Sequence, residues 1–276
     1  MGSASVQSSI KAVRWLNTLI DRNRVLFSVA AGHLILFLLM LIVAPFDART
    51  VTGINPWIKP MKFALSIAIY TATMAWLLEH LPSSQQMKRW VTRGIALAML
   101  VEMALITLQA ARGVPSHFNN TSLFNAAVFA VMGLVILGNT ALVALVTLQF
   151  YRTRPALSAA YFWGIRLGLT LFVLASLEGL AMIDRMSHAV GVADGGPGLP
   201  FVNWSTEGGD LRIAHFIGLH ALQVVPLAGY LLSRLNWAGR RVRPVIWLWA
   251  FAMAYAVVSV SLFVQALAGQ PLLRVW

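Results

Sequence analysis

The feature that most constrains this sequence is a series of seven apolar stretches, each long enough to cross a membrane as a helix. A spanning helix needs about 20 mostly apolar residues. Such stretches cover residues 25–44, 61–81, 94–111, 123–150, 160–183, 213–235 and 244–268. Because lipid offers no partners for backbone hydrogen bonds, each stretch is expected to be an α-helix. The sequence therefore predicts an all-α integral membrane protein with seven transmembrane helices.

The composition excludes several other classes of protein. Apolar residues make up 59% of the chain and charged residues 11%, whereas soluble domains are about a quarter charged. The chain contains no cysteine, which excludes disulfides, Cys-ligated zinc, iron–sulfur clusters and thiol nucleophiles. Nucleotide-binding glycine motifs, HExxH and the serine elbow are also missing from the sequence. No single motif therefore names a reaction.

The basic residues indicate how the helices cross the membrane. If the seven stretches alternate in direction, thirteen of the 21 Lys and Arg residues fall on one side. These are Lys11, Arg14, Arg22, Arg24, Lys88, Arg89, Arg93, Arg152, Arg154, Arg234, Arg240, Arg241 and Arg243. The positive-inside rule then places the N-terminus in the cytoplasm and the C-terminus outside. The net charge of +12 thus reflects topology, and we expect no nucleic-acid partner.

The chain is expected to form one domain. Residues 1–24 are predicted as a cytoplasmic segment, with an amphipathic helix over 10–20 lying on the inner leaflet. The seven-helix domain covers 25–268, and residues 269–276 form an outer tail. The long outer loop 184–212, with Gly-Gly-Pro-Gly inside it, is typical of a lid or a binding loop. We expect a multi-pass protein of a bacterial cytoplasmic membrane, surrounded by lipid.

Polar residues gather towards the outer side of the predicted bundle. Counted at 1.5 Å per residue, His33, Tyr70, Glu102 and His220 lie roughly 13–17 Å below the outer end of their helices. Ionisable side chains at this depth are costly and are candidates for function. A second layer nearer the surface contains Lys59, Lys62, Gln109, Arg112, Glu178, Arg185, Arg212 and His215. The sequence predicts a polar pocket that opens outward and has a basic rim.

The first functional hypothesis is a membrane oxidoreductase that carries haem b. Haem needs two neutral imidazoles at matched depth on facing helices, and His33 and His220 meet the depth condition. Glu102 would carry protons, and electrons would come from a membrane quinol. The haem propionates would be bound by a basic rim consisting of Lys59, Lys62, Arg112 and Arg212.

The second hypothesis is an enzyme that acts on a lipidic anionic substrate. His33, Glu102 and His220 would form a His₂Glu site for a divalent metal such as Zn²⁺, with His117 and His215 as further candidate ligands. The basic rim would bind a phosphate or carboxylate head group.

A metal-free form of this hypothesis uses acid–base chemistry alone. Burial would hold Glu102 protonated as the acid. Glu178 and Tyr70 are the other candidate catalytic residues, and the loop 184–212 would close over the substrate.

The third hypothesis is a proton-coupled transporter of a small anion. Glu79, Asn139 and Arg166 extend polar character towards the cytoplasm, and Glu102 would be the proton-coupling residue. Inverted repeats and paired broken helices, which are typical of transporters, are not visible in the sequence.

Overall fold

The computed structural model describes residues 23–235 and 243–273, and it contains seven long helices. They are α1 Arg24–Val43, α2 Ile58–Glu79, α3 Gln85–Arg112, α4 Leu123–Arg152, α5 Ala159–Arg185, α6 Leu211–Arg234 and α7 Pro244–Leu267. All seven are long and apolar enough to cross a membrane. The predicted all-α, seven-helix membrane architecture is therefore confirmed, while the direction in which it crosses the membrane stays a prediction. The amphipathic helix predicted over 10–20 lies outside the described residues.

Polar caps set where several helices begin. The side chain of Asn23 accepts a hydrogen bond from the backbone of Leu26 at the start of α1. Ser84, Ser122 and Ser158 cap α3, α4 and α5 in the same way, as serine commonly does at this position. The cap at Ser84 explains why α3 begins nine residues before the predicted stretch. Hydropathy marks the apolar part of a helix, whereas the cap marks its first turn.

Helix α2 lies in the middle of the bundle. It packs against α1 and α3, and α1 also packs against α3. The hydroxyl of Tyr70 on α2 donates to Oδ1 of Asn139 on α4 at 2.9 Å, and its ring stacks on Phe172 of α5 at 5.6 Å. Nε2 of Gln223 on α6 donates to Oγ1 of Thr73 on α2 at 3.2 Å. Side chains of α2 thus reach five of the other six helices.

Small residues bring α5 and α6 into close contact. A Cβ added to Gly168 on α5 would lie 2.7 Å from the carbonyl oxygen of Ala221 on α6, and one added to Gly164 would lie 2.9 Å from that of Val225. Glycines spaced this way let two backbones approach where a side chain would hold them apart.

A Gly229→Ala substitution is expected to destabilise the protein by about 1–3 kcal/mol, the usual range for overpacking. The added Cβ would lie 2.5 Å from the backbone oxygen of Ala160, so one of the two helices must move. Gly138→Ala on α4 is the matched control, because nothing lies within 4 Å of its added Cβ. Thermal unfolding in detergent should show a lower Tm for Gly229→Ala alone. Equal Tm values for the two variants would contradict this close packing.

Three connecting segments meet at one end of the bundle, which we call the outer end after the predicted topology. They are residues 44–57, 113–122 and 186–210. Nη1 of Arg49 in the first segment donates to the carbonyl of Ala111 at 3.0 Å. Nδ2 of Asn203 in the third donates to the carbonyl of Thr52 at 3.3 Å. The ring centroids of Phe118 in the second segment and His188 in the third lie 4.7 Å apart, so all three segments are in contact over this end.

The third segment, which we call the outer loop, is slightly shorter than the predicted 184–212. Helix α5 continues to Arg185 and α6 begins at Leu211. Two short strands, β1 Ala189–Val190 and β2 Gly209–Asp210, pair antiparallel at the base of the loop. Gly209 lies against the end of α7, where an added Cβ would be 1.9 Å from the carbonyl oxygen of Ala266. Only glycine fits at this point of contact.

Candidate functional site

A buried carboxyl group forms the lowest part of the site. Glu102 on α3 is 1% exposed, and its Oε1 lies 3.9 Å from Nε2 of His117. Its other oxygen, Oε2, is buried and has no hydrogen-bond partner among residues 23–235 and 243–273. A buried polar atom without a partner is costly and rare in folded proteins. Glu102 is therefore the first candidate for direct contact with a ligand or a transferred proton.

His117 reaches Glu102 because the segment 113–122 turns back over the end of α3. Helix α3 continues for ten residues beyond Glu102 and ends in Gly113, which takes a left-handed φ of 70° as its C-cap. Ser116 and Asn119 in the same segment are also buried. Irregular backbone at such depth is tolerated where it is enclosed by protein.

The hydrogen bonds of His117 define which nitrogen carries its proton. Nδ1 lies 3.3 Å from Nζ of Lys59 on α2 and 3.0 Å from Oγ of Ser116. An ammonium group can only donate, so Nδ1 accepts and Nε2 carries the proton that faces Glu102. Burial first, and then the charges of Lys59 and His188, lower the pKa of His117 well below its usual value. The imidazole is thus neutral at pH 7, with Nδ1 in hydrogen-bond range of Lys59 and Nε2 3.9 Å from Oε1 of Glu102.

Aromatic rings surround His117. Its ring centroid lies 5.9 Å from that of Phe63 on α2 and 6.1 Å from those of Phe118 and Phe129. Phe118 in turn contacts His188 of the outer loop, with ring centroids 4.7 Å apart. These apolar neighbours lower the local dielectric, so charges inside the site interact more strongly than in water.

Cationic side chains attach the outer loop above the site. Nζ of Lys62 on α2 donates to the carbonyl of Val202 at 2.9 Å. Arg212 at the start of α6 donates to the carbonyl of Asn203 and to both carboxylate oxygens of Asp210. The predicted lid thus lies over the basic residues, and two of the predicted rim cations take part in holding it.

Within the outer loop, Nδ1 of His188 and Oδ2 of Asp194 form a hydrogen bond of 2.8 Å. A carboxylate can only accept, so Nδ1 of His188 donates. Burial is the main cause that lowers the pKa of His188 to about 4. The bond to Asp194 opposes that shift, and the charges of Lys59 and Arg212 add to it. Burial alone would raise the pKa of Asp194, but the hydrogen bonds from His188 and Ala189 lower it.

Acidification is expected to loosen the outer loop. The pKa of His188 is lower in the closed loop than its ordinary value of 6.5. The closed loop therefore has its full stability above pH 6.5 and loses stability as the pH falls towards 4. At pH 5.5 the open loop would gain about tenfold in population relative to pH 7.5. Hydrogen–deuterium exchange of residues 186–210 should show this change as a loss of protection, after correction for intrinsic exchange rates.

The matched control is His188→Asn, which retains a donor near the position of Nδ1 but does not titrate. Its protection should vary little between the two pH values. The same tenfold loss in His188→Asn would show that another group controls the loop.

Arg112, which was predicted to belong to the basic rim, contacts side chains of α3 and α4. Its guanidinium donates to Gln109 and, at 2.7 Å, to Oδ1 of Asn125 on α4. It also lies 4.6 Å from the ring centroid of Phe124. Two neutral amide oxygens accept these bonds, so Arg112 links α3 to α4.

The predicted middle layer separates into different neighbourhoods. Tyr70 bonds to Asn139, and Glu102 faces His117. Nδ1 of His33 on α1 donates to the carbonyl of Val29 at 2.7 Å, and Nδ1 of His220 on α6 donates to that of Phe216 at 2.7 Å. Helix α1 packs against α2 and α3, whereas α6 packs against α5 and α7. Similar depth therefore does not amount to contact among these four residues.

Two further predicted residues lie on α5 and α6. Nδ1 of His215 donates to the carbonyl of Ala175 on α5 at 2.9 Å. Glu178 on α5 is half-buried, and its Oε2 is buried without a hydrogen-bond partner in the described part of the chain. In the part of the chain that the structure describes, no three His, Asp or Glu side chains are grouped to hold a metal ion. The predicted metal ligands thus stay a prediction.

Two parts of the site were not predicted from sequence. One is the His188–Asp194 pair, and the other is the position of His117 between Lys59 and Glu102. The contact of His188 with Asp194 could have been predicted, because the two residues are only six positions apart in a glycine-rich loop. The position of His117 had no such signal, because it depends on how the segment 113–122 turns.

Comparison of the chain with protein-family models, with curated proteins and with solved structures gave no match.

Proposed function

We propose that this protein is a membrane enzyme that performs acid–base chemistry on a lipidic substrate with an anionic group. The observation that carries the proposal is the row of Lys59, His117 and Glu102, with a buried carboxylate oxygen that has no partner. The excess of Lys and Arg in the predicted inner segments supports an orientation in which the site faces outward, and a bacterial cytoplasmic membrane is the location that we propose.

Each residue of the row has a distinct role in this proposal. Lys59 and Lys62 supply positive charge for the anionic group. Glu102 exchanges a proton with the substrate, and His117 passes a proton between Glu102 and the Lys59 side of the site. A neutral imidazole with one bare and one protonated nitrogen can accept on one side and donate on the other. Proton transfer by a positioned side chain contributes about 10²–10⁴-fold to a rate.

The proposal predicts that the site prefers anionic amphiphiles and that this preference depends on Lys59. Protein in nanodiscs of phosphatidylcholine would be titrated with short-chain phosphatidic acid, with a fatty acid and with neutral diacylglycerol. We expect saturable binding of one or both anionic ligands and none of diacylglycerol. Lys59→Met should lower the affinity for the anionic ligands by about tenfold or more, because it removes a hydrogen bond from a charged group.

Lys88→Met is the matched control, because Lys88 lies in the first turn of α3 at the opposite end of the bundle. Equal affinity for anionic and neutral ligands, or an unchanged affinity in Lys59→Met, would contradict the proposal.

A second candidate, a haem b oxidoreductase with quinol as electron donor, is favoured by the histidine geometry. In both His33 and His220, Nδ1 donates to the carbonyl four residues earlier, which leaves Nε2 as a bare lone pair. This second bond is how ligating histidines are usually oriented. Nε2 of His33 is also buried, and none of the described residues is its hydrogen-bond partner.

The haem candidate predicts colour. The purified protein should show a Soret band that sharpens on reduction with dithionite, and His33→Ala should remove it. A flat visible spectrum of protein produced with added haem would rule this candidate out and leave the acid–base proposal unaffected.

A further inference from the structure

We infer that the gap between α1 and α6, with α2 as its floor, is a lateral groove that binds the acyl chain of an anionic lipid. The inference rests on the proposed function, because it supplies the route by which a lipidic substrate reaches the site from the bilayer. The evidence comes from the exposed face of α2, the facing side of α6 and the position of one lysine.

One face of α2 is exposed although side chains of this helix reach five others. Lys62, Ser66, Ile69 and Thr73 are spaced by four, three and four residues, so they share a face. Ser66 is exposed, and Ile69 is 41% exposed. A helix in the middle of a bundle has such an exposed stripe only where two of the helices that surround it are not in contact with each other.

Helix α6 presents a matching face on one side of this opening. Phe216, His220, Gln223 and Leu227 have the same spacing, and Phe216 and Leu227 are both exposed. The bond from Gln223 to Thr73 joins this face to α2. It therefore closes the lower end of the groove at about mid-membrane.

The opposite side of the opening is formed by α1. This helix packs against α2 and α3, whereas the extensive contacts of α6 are with α5 and α7. Among the seven described helices, the ring around α2 is thus interrupted between α1 and α6. A membrane protein with such an interruption exposes the floor of the groove to lipid.

The charge distribution of the groove selects an anionic lipid as its occupant. Lys62 lies at the outer end of the stripe, where its Nζ donates to the carbonyl of Val202 and Arg212 donates to that of the adjacent Asn203. Below Lys62 the stripe is uncharged as far as Thr73, about 16 Å along the helix at 1.5 Å per residue. This length is about half of the hydrocarbon thickness of a bilayer, which is the depth that one acyl chain occupies. A lipid with its anionic group at Lys62 would therefore place its chain along Ser66 and Ile69.

The absence of cysteine from the chain makes a direct test possible. Ser66→Cys in the groove and Leu134→Cys on α4, a position that is 70% exposed, would each be labelled with bimane. Each labelled protein would be reconstituted in phosphatidylcholine with a trace of nitroxide-labelled phosphatidic acid or nitroxide-labelled phosphatidylcholine. At Ser66 we expect about fivefold preferential quenching by phosphatidic acid, as one lysine near an anionic lipid provides. At Leu134 the two lipids should quench equally.

Lys62→Gln in the Ser66→Cys background should remove the preference. Ile69→Cys provides a second label position if Ser66→Cys does not fold. Equal quenching by the two lipids at Ser66 and Ile69, or a preference that survives Lys62→Gln, would overturn the inference. This outcome can be told apart from a failure of the proposed function. If phosphatidic acid is preferred at Ser66 but Lys59→Met does not change ligand binding, the groove is supported and the acid–base site is contradicted.

Discussion

Replacing Asp210 with alanine is expected to destabilise the protein by about 2–3 kcal/mol, because it removes the buried carboxylate that caps α6 and pairs with the partly exposed Arg212. Asp210 is fully buried and accepts from the backbone of Ser205 at 2.8 Å and from the backbone of Arg212 at 3.0 Å. Its carboxylate also accepts from the guanidinium of Arg212. One side chain thus caps α6, attaches the outer loop and neutralises a rim cation.

The measurement is thermal unfolding in detergent, together with limited proteolysis of the outer loop. Asp210→Ala should lower the Tm and make residues 186–210 sensitive to protease. Asp210→Asn retains a capping oxygen and should lose less stability, since asparagine is nearly as good a cap. A Tm for Asp210→Ala within error of the wild type would show that the pair with Arg212 adds nothing to stability.

Replacing Glu102 with glutamine is expected to reduce turnover of the lipidic substrate by about 10²–10⁴-fold. The amide has nearly the same shape, but it cannot exchange a proton. Binding of the anionic ligand should be retained, because Lys59 and Lys62 are unchanged. The expected signature is therefore a loss in kcat with little change in KM.

Glu178→Gln is the matched control for this prediction. Glu178 is also a carboxyl group within a helix, and one of its oxygens is likewise buried without a partner. It lies on α5, whereas the segment with His117 turns over α3. If kcat falls equally in Glu102→Gln and Glu178→Gln, the position of Glu102 beside His117 has no special role. An unchanged kcat in Glu102→Gln would contradict the proposed role of Glu102.

The candidate site was partly predictable from sequence. Glu102, Lys59 and Lys62 were predicted to belong to one outward-facing pocket, because charged residues in apolar stretches are costly. The structure brings Glu102 and Lys59 to opposite sides of the His117 ring. His117 was predicted only as a further candidate metal ligand. Its contact with Lys59 joins residues that are 58 positions apart in the chain, so the sequence does not show it.

The depth of a residue along its helix proved to be weak evidence that it shares a site with residues of other helices. His33 and His220 have comparable depths, yet they lie on helices that pack mainly against different neighbours. Depth follows from residue number and the rise per residue. Direction around the bundle depends on which helix faces which, and similar apolar stretches do not encode that order.

The sequence by itself determined that this protein is a bundle of seven membrane helices, because the length of an apolar stretch and the need to satisfy backbone hydrogen bonds are local properties. The tertiary structure decided which helices meet, through contacts such as that of Tyr70 with Asn139 and the glycines of α5 and α6. It also decided that the segment 113–122 turns back to place His117 beside Glu102. Such contacts join residues far apart in the chain, and they depend on side-chain shape and hydrogen bonding that hydropathy does not measure.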